Sequence, residues 1–299
     1  MRVAFVLAGL LLLPLSVSAA EKLKVVTSFS ILADMAHQIG GEHIEVINIV
    51  GPDKDARAYK PTADDAKNLA HADVIIENGL GFEPWMDQLV AKSGTKKVVT
   101  VASTGVIPRT VSEDGKTVTD PHAWQSLPDA ELYMNNIVNA LSAVDPEHTN
   151  AYISASKVYN KQLHSLKTEA KLKLATVPLG TLPAGSRRFV VSHEAFGYLD
   201  LGKAYDIEFV AAQDVASAGE PSQAQVAALT KQVGEVKAKA VFLDNVRDPA
   251  TMKQIADQTG VPVAGTLYSD ALATKGPAST FAGMYKANIN ALYDALNKP

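Results

Sequence analysis

Short apolar runs alternate with stretches of helical periodicity from Lys22 onward, the pattern of an α/β protein with parallel sheets. Residues 24–27 (KVVT) predict a short buried strand. Ile31, Leu32, Met35 and Ile39 then recur at helical spacing until Gly40 and Gly41 stop them. Strands are expected over 44–50, 73–77 and 97–101, and helices over 62–72 and 128–144, the second with Tyr133, Ile137 and Leu141 on one face. Between 146 and 175, Tyr152, Ala155, Tyr159, Leu163, Leu166 and Ala170 recur every three or four positions with no glycine and no proline after the start. This predicts one long amphipathic helix. A loop rich in breakers follows at 178–185.

The second half repeats the plan. Residues 188–192 (RFVVS) resemble the first strand in ending on Ser before a helix, and further strands are expected over 207–211, 240–243 and 261–267. Residues 219–222 (GEPS) introduce a helix with Val226, Leu229, Val233 and Val236 inward, and 281–296 is a closing amphipathic helix. The expected fold is two similar α/β lobes with parallel sheets, joined by one long rigid helix. Open parallel sheets bind ligands at the carboxyl ends of their strands, so the ligand cleft is expected between the lobes. The organisation read from this is a signal peptide at 1–20, an N-terminal lobe at 21–145, a linking helix at 146–175 and a C-terminal lobe at 176–299.

Residues 1–20 combine Arg2, an apolar run over 3–15 and small residues over 16–20, the features of a secretory signal cleaved near Ala19 or Ala20. A membrane-spanning helix would need roughly 20 apolar residues. The chain contains no cysteine, which removes disulfides, thiol catalysis and thiolate metal sites, and with them the acceptor for a lipid anchor. The expectation is an exported periplasmic protein that is not lipid-anchored. A net charge of −4 speaks against nucleic-acid binding.

Enzyme motifs are not supported. Residues 193–197 (HEAFG) begin like a zinc-protease helix but carry glycine where the second His is required, and 79–84 (GLGFEP) is a broken dinucleotide turn. Of the seven histidines, five sit in surface patterns or a turn: His37, His43, His71, His148 and His164. His122 stands in Asp120-Pro-His-Ala-Trp124 directly before a helix, and His193 closes a strand that should face the cleft. Asp270 holds the corresponding place after a late strand. Two imidazoles and a carboxylate from separate strand ends suit Zn²⁺ or Mn²⁺. Each residue by itself also fits a turn, a cap or a hydrogen-bonded core.

At these residues the chain resembles the metal-binding family of ABC-transporter substrate-binding proteins. The resemblance covers essentially all of the chain after residue 20. It rests on residues 27–34 (TSFSILAD), 59–62 (YKPT), 70–81 (AHADVIIENGLG), 120–124 (DPHAW), 192–198 (SHEAFGY), 219–222 (GEPS) and 267–270 (LYSD). It implies a non-enzymatic, monomeric carrier whose cargo is Zn²⁺ (or Mn²⁺), with His122, His193 and Asp270 as ligands. Its partners are an inner-membrane ABC permease and the permease's cytoplasmic ATPase. His193 stands where the family has His in zinc-type and Glu in many manganese-type members, which leans toward zinc. One position departs: Arg57 stands where the family has a first His ligand. A guanidinium has no lone pair to offer. A unit charge ~4 Å from a divalent ion would oppose it by roughly 8 kcal/mol at an effective dielectric of 20. Arg57 is expected first to swing to solvent. The alternatives are that it pairs with Asp270 and fills the ligand's place, or that the metal is held weakly. An anionic or chelated cargo, and more remotely a zinc-dependent hydrolase, are the other functions considered.

Overall fold

The computed structural model describes residues 21–113, 116–178, 182, 186–215 and 218–297. The signal peptide expected at 1–20 and most of the breaker-rich loop at 178–185 therefore lie outside the described residues.

Two four-stranded parallel sheets form the two lobes. The first contains β1 (Leu23–Phe29), β2 (Ile44–Val50), β3 (Val74–Glu77) and β4 (Val99–Val101) in the order β2-β1-β3-β4. Its helices are α1 (Ser30–Gly40), α2 (Ala63–His71) and α3 (Met86–Ser93). The second contains β7 (Arg188–His193), β8 (Glu208–Gln213), β9 (Ala240–Asp244) and β10 (Val263–Leu267) in the order β10-β9-β7-β8, again parallel throughout. Its helices are α6 (Asp200–Ala204), α7 (Gln223–Val236), α8 (Pro249–Thr259) and α9 (Phe281–Asn297).

The α/β class with two lobes and a long helix is as the sequence implies. Departures are local. An antiparallel pair for which no expectation was formed, β5 (Thr110–Glu113) and β6 (Lys116–Thr119), stands apart from both sheets. Helices α3 and α8 had no expectation at all, although Asp248 caps α8 through the Ala250 amide and Pro249 opens its first turn.

Helix α5 (Thr149–Leu174) follows α4 (Leu127–Val144) and runs 26 residues, about 39 Å at 1.5 Å per residue. Its stripe of Tyr152, Tyr159, Leu163, Leu166, Ala170 and Leu174 is buried. Polar groups fasten it to both lobes. The Tyr159 hydroxyl donates to Asp34 of α1 at 3.3 Å and accepts from the Ala282 amide of α9, while Asp34 also accepts from the Phe281 amide at 2.8 Å. One apolar core accordingly runs through both lobes, from Val25, Ile31 and Met35 through Tyr159 and Leu163 to Phe242, Met284 and Leu292. A smaller cluster lies between the second sheet, α7 and α8. A shared core of this kind resists hinge motion, because parting the lobes would expose apolar surface at about 25 cal/mol per Å².

Beneath the first sheet's carboxyl end, Glu83 is buried and accepts from the Ser28 hydroxyl (2.6 Å) and the Asn78 (2.7 Å) and Gly79 (3.2 Å) amides. Burial outweighs these three donors and pushes its pKa up to about 7. A folded-state pKa above the usual carboxylate value contributes stability below about pH 4.5 that is lost as pH rises through 7, at most about 3 kcal/mol. Glu83→Gln is expected to flatten the fall in stability between pH 5 and pH 7.5. Denaturant unfolding at the two pH values checks this, and a slope unchanged from wild type would contradict it.

Candidate metal centre

The two sheets present their carboxyl ends to each other, and two of the chain ends that leave them meet the turn that follows β6. His122 lies in the link between β6 and α4, His193 is the last residue of β7, and Asp270 follows β10 by three residues. One ligand-capable atom from each lies within 4.8 Å of the others, and all three residues are at most 1% exposed. The structure thus brings together every residue singled out as a candidate ligand.

Each imidazole is oriented from behind by a carboxylate. Asp120 Oδ1 accepts from the His122 backbone amide (3.0 Å) and stands 2.7 Å from ring Nδ1, which makes Nδ1 the protonated nitrogen and leaves Nε2 with a bare lone pair. The Asp-Pro-His turn explains this locally, because the carboxylate folds back over two residues onto the following amide. Asp244, last residue of β9, plays the same part for His193. Its Oδ2 is 3.2 Å from Nδ1 and is itself held by the hydroxyls of Ser192 (2.7 Å) and Ser269 (3.0 Å). Arg109 anchors Asp120 at 2.7 Å and reaches Glu194 of the other lobe at 3.0 Å. Gly197 lets the Arg109 fork pass, since a Cβ there would stand 2.0 Å from its Nη1. Glu194 therefore points to Arg109 and away from the His193 ring.

The two Nε2 atoms face Asp270, His122 to Oδ1 and His193 to Oδ2, each at 3.3 Å. Neither nitrogen nor either carboxylate oxygen makes a hydrogen bond. Four buried polar atoms without partners are costly unless a cation stands among them. Bonds of roughly 2.0–2.1 Å at tetrahedral angles would separate neighbouring ligand atoms by about 3.3 Å. Burial works against ionising His193, but Asp270 and Asp244 overcome it and lift its pKa to about 9, while the two imidazoles hold Asp270 well below the usual carboxylate range against its own burial. Trp124 Nε1 and Gln125 Nε2 both donate to the Ser269 carbonyl at 2.9 Å, which fixes the backbone just before Asp270. Phe82 and Trp124 wall the His122 ring.

The remaining histidines stay away from the cleft. His37, His71 and His164 are exposed, and His43 stacks on His148 with ring centroids 3.9 Å apart. Arg57 overturns the leading expectation. It does not swing to solvent but is 7% exposed, with Nη1 donating to the Val215 carbonyl. Among the charges around it, Asp270 acts on it most strongly. Burial opposes the charged guanidinium more than Asp270 and Asp55 favour it and lowers its pKa, so its place is fixed by the hydrogen bond to Val215 and by the loop that carries it. Asp120 and Asp244 as orienting groups were not foreseen. The Asp-Pro-His turn carried a signal for the first, whereas Asp244 is 52 residues from Ser192 and carried none.

Residues 25–295 match the family described as "Zinc-uptake complex component A periplasmic". Among curated relatives, the manganese-binding lipoprotein MntA of Halalkalibacterium halodurans is 30% identical over 279 residues, 93% of this chain and 90% of that one. The iron ABC transporter substrate-binding lipoprotein MtsA of Streptococcus pyogenes is 30% identical over 290 residues, 93% and 90%. Among solved structures, the periplasmic zinc-binding protein TroA of Treponema pallidum superposes with a TM-score of 0.82 at 26% identity, covering 93% of this chain and all of that one. The curated relatives correct one expectation. Both are named lipoproteins, which overturns the inference that this protein is not lipid-anchored.

Proposed function

The chain belongs to the zinc-uptake component A family of metal-binding ABC-transporter proteins, which are not enzymes, and from this premise we propose that it captures Zn²⁺ in preference to Mn²⁺ on His122, His193 and Asp270. As a substrate-binding protein of an ABC transporter, it works outside the cytoplasm with a membrane permease and the permease's ATPase, and its substrate is a transported divalent metal ion. The relatives' names span manganese, iron and zinc, so the choice of zinc rests on the site itself.

The single observation that carries the ligand assignment is the set of four buried, unpartnered atoms on these three residues. Two imidazoles with one carboxylate favour zinc over manganese, which prefers more oxygen donors and a higher coordination number. In this reading residues 21–145 supply one ligand, 176–299 supply two, and 146–175 link them. All three ligands come from one chain, so the working unit is a monomer. The Arg57 guanidinium is buried and engaged by the Val215 carbonyl, which speaks against an anionic cargo.

Function here is capture without chemistry. The imidazoles must be neutral to ligate, so binding displaces protons and tightens as pH rises from 6 to 8. Purified protein is expected to bind one Zn²⁺ per chain in calorimetry and to prefer it to Mn²⁺ in competition, and His193→Ala is expected to abolish binding. Undiminished binding by that variant would refute the ligand assignment, and tighter Mn²⁺ binding would refute the choice of zinc. The orienting carboxylates give a second test. Asp120→Asn and Asp244→Asn are each expected to weaken zinc binding by about 10- to 100-fold with the fold retained, and titrations of both variants that overlay wild type would remove them from the site.

A further inference from the structure

The loop between β2 and α2 closes one side of the cleft, and Asp53 and Asp55 in its first half are both bonded to the opposite lobe. The Asp53 amide donates to the Leu272 carbonyl (2.9 Å). The Asp53 carboxylate accepts from Asn245 Nδ2 (3.1 Å), the Thr274 amide (2.8 Å) and the Thr274 hydroxyl (2.7 Å). Asp55 accepts from the Gly219 amide (3.1 Å), is bridged to Arg247, and turns its other oxygen back onto the Arg57 amide (2.9 Å). Behind the loop, Trp85 Nε1 donates to the Ala56 carbonyl at 2.7 Å. Arg57 sits at the end of this strap. Its backbone is fixed by Asp55, its guanidinium by Val215, and its charge is set against Asp270.

The positive charge at Arg57 is therefore a built part of the site's wall. A side chain so held cannot leave for water without breaking a buried charge-assisted hydrogen bond and exposing Asp270's charge to a low-dielectric surrounding. An arriving divalent cation meets Asp270 already partly neutralised and meets a like charge besides. Resting on the reading of His122, His193 and Asp270 as the ligands, we infer that Arg57 is an affinity-setting residue: its fixed charge opposes every divalent cation alike and keeps the site within a range from which the ion can be released. The two imidazoles and the carboxylate choose the element; Arg57 sets how tightly any of them is held. Because the effect is Coulombic and contributes no donor atom, it must act equally on ions of equal charge.

The experiment compares Zn²⁺ and Mn²⁺ affinities of the full chain by calorimetry in wild type, Arg57→Met and Arg57→Lys, with circular dichroism to verify folding. Arg57→Met, which keeps length and removes charge, is expected to tighten both ions at least tenfold and by similar factors. Arg57→Lys, which keeps the charge, is expected to stay near wild type. If Arg57→Met folds poorly, Arg57→Gln, which can still donate to Val215, carries the same comparison. Unchanged or weaker binding in the folded neutral variant overturns the inference. So does a lysine variant that tightens as much as the neutral one, or a tightening confined to one ion. Zinc binding by wild type that is lost in His193→Ala, together with no gain in Arg57→Met, overturns this inference alone. Absence of binding in wild type and neutral variant alike overturns both readings. Binding only in the neutral variant supports this one.

Discussion

Asp270 is a carboxylate buried in protein with no hydrogen-bond donor on either oxygen. Such a group is tolerated only beside positive charge, because its solvation is lost and nothing neutral replaces it. Most of the cleft can be read as an answer to that constraint. Two imidazoles face it from different chain segments, the buried Arg57 charge favours it, and Trp124 and Gln125 hold the carbonyl before it. These groups come from segments of both lobes. The site therefore demands a scaffold that fixes segments from both lobes relative to each other.

That demand is met by the apolar core common to both lobes and by α5, which is tied to α1 and α9 through Tyr159 and Asp34. The cleft's polar rim works differently. Arg109 ties Asp120 to Glu194, and the strap at Asp53 and Asp55 reaches Leu272, Thr274 and Gly219. Side-chain bonds to a loop exchange readily with water, whereas a buried core does not. The scaffold is apolar and the closure is polar, which separates holding the geometry from opening it.

Much of this was legible in the sequence because it depends on periodicity and on strand ends. The stripe from Tyr152 to Leu174 announced α5, and a strand that closes on Ser-His announced His193 at the mouth of a sheet. Asp-Pro-His placed its own orienting carboxylate within two residues. What was hidden depends on tertiary pairing. Asp244 could not be assigned to His193, because the partnership joins adjacent strands far apart in the chain and looks locally like an ordinary strand terminus. Helix α8 carries polar residues on most of its surface, so its pattern was too weak to read. Arg57 was expected in solvent ahead of a place beside Asp270 because what buries it, the Val215 carbonyl 158 residues away, is a tertiary contact that nothing near it in the chain announces.

The three candidate ligands are sealed, so an ion reaches them only when part of the wall moves. Parting the core would expose apolar surface across both lobes, whereas lifting the strap exchanges a set of hydrogen bonds and one ion pair for hydration. The Arg57 charge belongs to the same strap, since Asp55 binds that residue's own amide and the Val215 carbonyl accepts from its guanidinium. The contacts that cover the ligands and the contacts that hold the guanidinium in the wall are therefore one set, and a change that loosens the first disturbs the second.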